Sequence, residues 1–349
     1  MKRKIFLLLP SLSGGGAEKI MLLLLKNLNK ELFDVKLVLQ REEGEFLDKI
    51  ESKKDLIVLN SQGKVEMFSK LKTLLKKENP DVLLSSISRL NLLLAIIIPF
   101  MPKGIKYIAR EANIISLLDK SIKDSILRKL FYNNFDKVIA QSNDMRKDIL
   151  QSTNVVQEKV LIINNPVEKI EFINKKLNNN VKKLIAVGRL EHQKGFDLLL
   201  RAISLVKIEN ISLDIIGNGS KEKELKKLVK ELNLNNKIKF LGFKKDVIEY
   251  IKQSDVFILS SRFEGFPNVV LEAHACGKPV VAFNCKGGLN ELIEVGKNGE
   301  LAELEDIKDL ASKIEKSLNT KYDVQSIIDN NRDRYSKERI IKEYEKVLI

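Results

Sequence analysis

Lys4-Ile5-Phe6-Leu7-Leu8-Leu9-Pro10-Ser11-Leu12-Ser13-Gly14-Gly15-Gly16-Ala17-Glu18 passes within fifteen residues from an apolar run, through three glycines, into a helical pattern that reaches Leu28. An unbroken apolar run of this length suits a strand covered on both faces, and the glycines let the chain turn sharply into a helix. The same unit recurs outward along the chain. Strands are expected at Val35–Gln40, Leu56–Leu59, Val82–Ser86, Lys106–Ala109, Val138–Gln141 and Val160–Ile163, with helices in the intervals. Residues 164–180, with Asn-Asn-Pro and a later run of asparagines, carry neither period and read as a linker. A second series follows at Leu184–Val187, Leu213–Ile216, Ile238–Leu241, Val256–Ser260 and Val280–Phe283, with helices at Phe196–Val206 and Lys221–Leu232. After Gly299 the chain is expected to be helical. Alternating strands and helices mean parallel sheets. The expected fold is therefore α/β, two Rossmann-like domains over residues 1–166 and 167–336, with a last helix at 337–349 able to pack back on the first.

The 349 residues are enough for two cores, and 44% hydrophobic with 31% charged residues is a globular composition. Met1-Lys2-Arg3-Lys4 ahead of Ile5–Pro10 has the outline of a secretory leader, but the serines and glycines cut the apolar run short, which leaves a buried first strand. The longest other apolar stretch, Leu92–Met101, is half of what a membrane-crossing helix requires. Two cysteines, Cys276 and Cys285, make neither a disulfide framework nor a paired zinc site, and imply a reduced, cytoplasmic setting. Residues 1–166 hold 28 lysines and arginines against 19 acids, which gives +9 of the net +14. Solvated helix faces account for part of this excess. Attraction to an anionic membrane or a phosphate-bearing acceptor is the functional alternative. Nucleic acid is not indicated, since the basic residues are neither interleaved with aromatics nor set in a reader motif.

Three stretches carry chemistry. At Ser13–Glu18 the glycines permit close approach to a ligand, and the helix start at Gly15-Gly16 offers amides and a positive dipole end to an anion. A dinucleotide fingerprint is not met, because the third glycine is missing and the second strand ends in Gln40-Arg41 rather than an acid. At Phe263-Glu264-Gly265-Phe266-Pro267-Asn268-Val269-Val270-Leu271-Glu272-Ala273, Pro267 suits the first position of a helix, which puts Glu264 in the loop before it and Glu272 one to two turns inside. The two carboxylates can then take different hydroxyls of one ligand, while the amides of Asn268 and Val269 take an anion. Lastly, Arg189 and Lys194 follow a strand end and can neutralise a leaving diphosphate. No Asp-x-Asp occurs in the chain, so no metal held by that motif is expected, and no cofactor.

Glu264 and Glu272, with seven residues between them, resemble the Glu-x7-Glu motif of glycosyltransferase family 4. Gly188-Arg189-Leu190-Glu191-His192-Gln193-Lys194-Gly195 is similar to the family's Gly-Arg-Leu…Lys-Gly segment, and Ser13–Glu18 to its Gly-Gly-Ala-Glu loop. Cys276-Gly277-Lys278-Pro279-Val280-Val281-Ala282 and Gly287-Gly288-Leu289-Asn290-Glu291 resemble its closing segments. The similarity spans nearly the whole chain and points to bacterial enzymes of lipid-linked glycans and surface polysaccharides. It implies the GT-B fold, with its two Rossmann-like domains facing across a cleft. It also implies a retaining transfer of sugar from a nucleotide diphosphate, UDP foremost, to a lipid-linked or saccharide acceptor at the inner face of a membrane.

The resemblance further implies roles. Glu272 would hold the donor ribose and Glu264 the transferred sugar, with the base near Gly217, Phe243 and the turn after Leu241. Gly15, Gly16, Gly265, Phe266, Asn268 and Val269 would line the donor. Where many relatives carry a histidine after the strand of Lys106–Ala109, this chain has Arg110-Glu111-Ala112-Asn113, so that Glu111 or Arg110 is expected against the donor sugar or acceptor. His192 is expected exposed, and His274 packed. Two alternatives remain at this point: a nucleotide-sugar-binding, membrane-associated protein without activity, and a nucleotide-sugar epimerase on the same scaffold.

Overall fold

The computed structural model describes residues 1–118, 121–171 and 181–349. They divide into two units, Met1–Pro166 with Glu338–Ile349, and Val167–Lys337. The first contains seven parallel strands, β1 (Arg3–Leu9), β2 (Phe33–Leu39), β3 (Leu56–Val58), β4 (Val82–Ser86), β5 (Lys106–Arg110), β6 (Lys137–Ala140) and β7 (Val160–Ile162), in the order β3-β2-β1-β4-β5-β6-β7. Successive side chains of β1 point to opposite faces. Ile5, Leu7 and Leu9 pack with Met21 and Leu24 of the helix Gly16–Asn27 and with Ile340, Ile341 and Tyr344 of the last helix, Lys337–Leu348. Phe6 and Leu8 face the opposite layer, with Leu71, Leu94 and Tyr132. The last helix thus closes one face of this sheet.

The second unit holds β8 (Lys182–Val187), β9 (Ile211–Ile216), β10 (Ile238–Gly242), β11 (Val256–Leu259), β12 (Val280–Phe283) and β13 (Gly299–Ala302), all parallel, in the order β10-β9-β8-β11-β12-β13. This is the doubly wound Rossmann order, in which the connections reverse direction between the first and fourth strands. Here that point lies between β8 and β11, and ligands of open sheets bind beside it, outside the carboxyl ends of the strands.

Every expected strand is present, with ends within two residues of expectation. The expectation of a purely helical chain after Gly299 is corrected by β13. That strand lies at the sheet edge beside β12 and contains a glycine and an acid, so it carries neither period 2 nor β-branched residues. Its place comes from burial: Glu300 is fully enclosed, with Oε2 2.9 Å from Lys316 Nζ. Of the expected linker, residues 172–180 lie outside the described residues. No helix among the described residues is long and apolar enough to cross a membrane.

Candidate functional site

The loops that follow β8 and β11 meet at the switch point of the second sheet. Lys194 ends a short turn after β8, and its Nζ lies 2.5 Å from Oε1 of Glu264 in the loop after β11. The side chains are 17% and 7% exposed. Low exposure of both partners makes the charge-assisted bond stronger than a surface pair. Ser261 Oγ donates to the same carboxylate oxygen at 2.5 Å. The lysine stem lies across Gly188, where a Cβ would stand 3.3 Å from its Cγ and Cδ. The other N–H bonds of Lys194 have no acceptor among the described residues.

Hydrogen bonds to backbone carbonyls hold the two loops together. Ser260 Oγ donates to the Lys194 carbonyl at 2.9 Å, the Arg262 amide to the Gln193 carbonyl at 2.8 Å, and Gln193 Nε2 to the Phe263 carbonyl at 3.0 Å. Arg262 also forks onto both oxygens of Asp197, at 3.0 and 2.8 Å, and reaches Glu305. Burial raises the Asp197 carboxyl, but the Arg262 bonds outweigh it and the net shift is downward. Ser261, Gln193 and Arg262 were not singled out from the sequence. Their spacing matches no pattern, and only the fold brings them beside Glu264.

Arg189, in the same β8 loop, is exposed, and its guanidinium makes no ion pair among the described residues. On the far side of Glu264, the Glu264 amide donates to the Lys286 carbonyl and the Gly288 amide to the Gly265 carbonyl. Gly287 has φ +139°, and a Cβ there would fall 2.5 Å from the Glu264 carbonyl oxygen. Only glycine lets this loop lie against the Glu264 loop. Gly217 plays the same part after β9: at φ +141° its Cβ would meet the Gly188 carbonyl oxygen at 1.9 Å, and its amide donates to Gly242. Phe243 follows Gly242 and is 41% exposed.

The helix after Glu264 runs Asn268–Ala275, with Pro267 at its N-cap rather than at the expected first position. Proline at φ −73° and ψ 110° is extended, and helical dihedrals begin one residue later. Asn268 and Val269 occupy the first turn, half-buried, and Glu272 lies beneath them at 7% exposure. Phe266 corrects the expectation of a donor-lining side chain. It is 4% exposed, packed edge-to-face on Tyr335 at 5.6 Å and against Gly288, so this loop can offer a ligand only its backbone there.

His192 is exposed and His274 buried, with Nε2 3.2 Å from the Asn298 carbonyl oxygen. Burial pushes the His274 imidazole down to about 4. The unfolded chain therefore takes up this proton as the pH falls below about 6.5, whereas the folded chain does so only near 4. Stability present at neutral pH is lost across that window, by about 2 kcal/mol between pH 7 and pH 5. His274→Gln is expected to remove that part of the loss in urea denaturation at the two pH values. Equal losses in both proteins would contradict it.

In the first unit, the carboxyl ends of β4 to β7 carry a buried polar network. Arg110 is 1% exposed and donates to Tyr344 Oη at 3.0 Å, Ser86 Oγ at 3.2 Å and Asn165 Oδ1 at 2.6 Å. This corrects its expected contact with donor or acceptor: the guanidinium is an internal tie between the sheet and the last helix. Glu111 is fully enclosed. Its Oε1 accepts from Asn91 Nδ2 and Tyr132 Oη, each at 2.7 Å, and its Oε2 has no hydrogen-bond partner among the described residues; so enclosed, the carboxylate is an internal partner, like Arg110, rather than the expected contact with donor or acceptor. At Gly15-Gly16, the helix start expected to receive an anion is already faced by Glu18, whose Oε2 would stand 2.5 Å from a Cβ on Gly15. The absence of a side chain at Gly15 thus admits the chain's own acid.

Two family models match the chain, Glycosyltransferase Family 4 over residues 14–169 and Glycosyl transferases group 1 over residues 168–334. Over its whole length the chain is 28% identical to an uncharacterized glycosyltransferase of Haemophilus influenzae, which it also covers completely. It is 33% identical over 189 residues to the N-acetylgalactosamine-N,N'-diacetylbacillosaminyl-diphospho-undecaprenol 4-alpha-N-acetylgalactosaminyltransferase of Campylobacter jejuni, a stretch that is 53% of this chain and 51% of that one. Among solved structures, HepE of Anabaena in complex with UDP-glucose matches 99% of both chains with a TM-score of 0.83 at 22% identity, a likeness of fold.

Proposed function

We propose that this chain, which belongs to the family 4 glycosyltransferases of GT-B fold, moves a sugar from a nucleotide diphosphate, UDP in the first instance, to a lipid-linked or polysaccharide acceptor, with retention and without a metal ion. The observation that carries this reading is the Lys194–Glu264 pair at the switch point of the second sheet, with Arg189 exposed in the same loop after β8. A diphosphate approaching Lys194 meets the N–H bonds that Glu264 leaves unused, and Arg189 adds a second cation. Charge developing on the leaving oxygen is then met by donors already in position.

In this reading Glu264 accepts from a hydroxyl of the transferred sugar, Glu272 from the ribose, and the amides of Asn268 and Val269 face the diphosphate. Gly217 and Phe243 border the base, and Gly265 gives close backbone approach. The bond from the anomeric carbon to the phosphate oxygen breaks as the acceptor oxygen bonds to that carbon. The acceptor's proton passes to the departing phosphate on the same face of the sugar. No cofactor beyond the nucleotide sugar takes part. The Campylobacter relative, named for a diphospho-undecaprenol acceptor, and the UDP-glucose bound to HepE support the lipid-linked and UDP parts. The basic first unit supports a position on the inner face of a membrane.

Incubation with UDP-, GDP- and ADP-sugars, with and without a lipid-linked acceptor, in EDTA tests this directly. Free nucleoside diphosphate and a new glycoside are expected in equal amounts, at a rate that EDTA leaves unchanged. Binding without release, or a free epimer, would overturn the transfer; loss in EDTA that Mg²⁺ restores would overturn the metal-free step.

A further inference from the structure

The helix Ile122–Phe131 of the first unit is amphipathic with an additional, outward apolar stripe. Its inner half carries Leu127 and Phe131, which pack on the core, and Arg128, which is 1% exposed. Outward lie Ile122, Ile126 and Leu130, 82%, 52% and 63% exposed. At about 100° per residue these three fall within roughly 80° of arc, with Lys129 about 20° beyond one edge and Lys123 about 20° beyond the other. Both lysines are exposed. The acid of the helix, Asp124, falls in the half that carries Leu127, Arg128 and Phe131.

The geometry points to this outer face as the surface on which the chain settles on an anionic bilayer. Ile122, Ile126 and Leu130 enter the headgroup layer, and Lys123 and Lys129 meet lipid phosphates. An apolar stripe edged by cations is the arrangement of helices that lie in the membrane interface. A second copy of the chain fits this face poorly. A two-fold contact here would set lysine against lysine, and a stripe of three side chains over roughly 12 Å falls far short of the about 800 Å² per partner of a stable interface. The inference rests on the reading of a membrane-borne acceptor, and it names the docking surface that reading leaves open.

Sedimentation of the full chain with phosphatidylcholine vesicles, with and without phosphatidylglycerol, tests it. Wild type is expected to bind the anionic vesicles, more weakly as salt rises. Lys123→Gln with Lys129→Gln should cost about 5-fold per lysine, roughly 25-fold together. Ile122→Ser, Ile126→Ser and Leu130→Ser combined should cost about 100-fold or more. Thermal unfolding should barely move in either variant, since exposed positions are replaced. If wild type binds anionic vesicles and both variants bind as well, this surface is wrong while the membrane reading stands. If wild type binds no vesicles, both fall. Self-association of wild type that the serine variant abolishes, with vesicle binding intact, would assign the face to a second copy and overturn the proposal.

Discussion

Lys194→Ala is expected to lower kcat by about 10² to 10³, the usual cost of losing one preorganised donor to developing charge. The ammonium interacts more strongly with the diphosphate as the glycosidic bond breaks than with the ground state, so turnover bears the effect rather than KM. Charge should matter more than shape, so Lys194→Arg should retain more activity than Lys194→Gln. The pairing of Lys194 with Glu264 adds an effect on stability. With Lys194 gone, a carboxylate at 7% exposure keeps, among the described residues, Ser261 as its side-chain partner, a loss of about 1–3 kcal/mol in unfolding free energy. The pair is not wholly enclosed, so the 3–5 kcal/mol of a fully buried one is an upper bound. Steady-state kinetics with urea denaturation of the same preparations separate the two effects. Near-normal kcat in a destabilised variant would make Lys194 a structural partner of Glu264 and nothing more.

Glu264→Ala and Glu272→Ala should fail in different ways. Glu264, bound to Lys194, is assigned to the reacting sugar, so its loss should fall chiefly on kcat. Glu272, one turn into the helix Asn268–Ala275, is assigned to the ribose, so its loss should fall on donor affinity. Each removes a charge-assisted hydrogen bond worth roughly 1.5–3 kcal/mol, about 10- to 150-fold. Donor titration by calorimetry beside kcat distinguishes them. Wild-type affinity and rate in both variants would mean that the pair of glutamates has been misread.

The two parallel sheets were legible because apolar runs recur at βα spacing from β1 to β12. β13 was not, because its edge place is fixed by pairing with β12 and burial of Glu300 rather than by local pattern. Glu264 and Glu272 stand out in the sequence by their spacing, and Arg189 and Lys194 by their place after a strand. The pairing of Lys194 with Glu264 crosses 70 residues of chain and has no local trace. Arg110 misled for a related reason. A cation at a strand end reads as a ligand contact until Tyr344, 234 residues on, is seen to accept its Nε–H. Phe266 reads as part of a ligand loop, and only its packing on Tyr335 assigns its ring to the core.

Arg189 gives the cleanest test of cation-assisted departure, because its exposed guanidinium has no ion pair among the described residues to lose. The decisive measurement is kcat of Arg189→Ala with a nucleotide sugar and its acceptor, taken beside thermal unfolding of the same protein. The account predicts kcat lower by about 10² to 10³ with unfolding unchanged. A folded Arg189→Ala variant with wild-type kcat would contradict it.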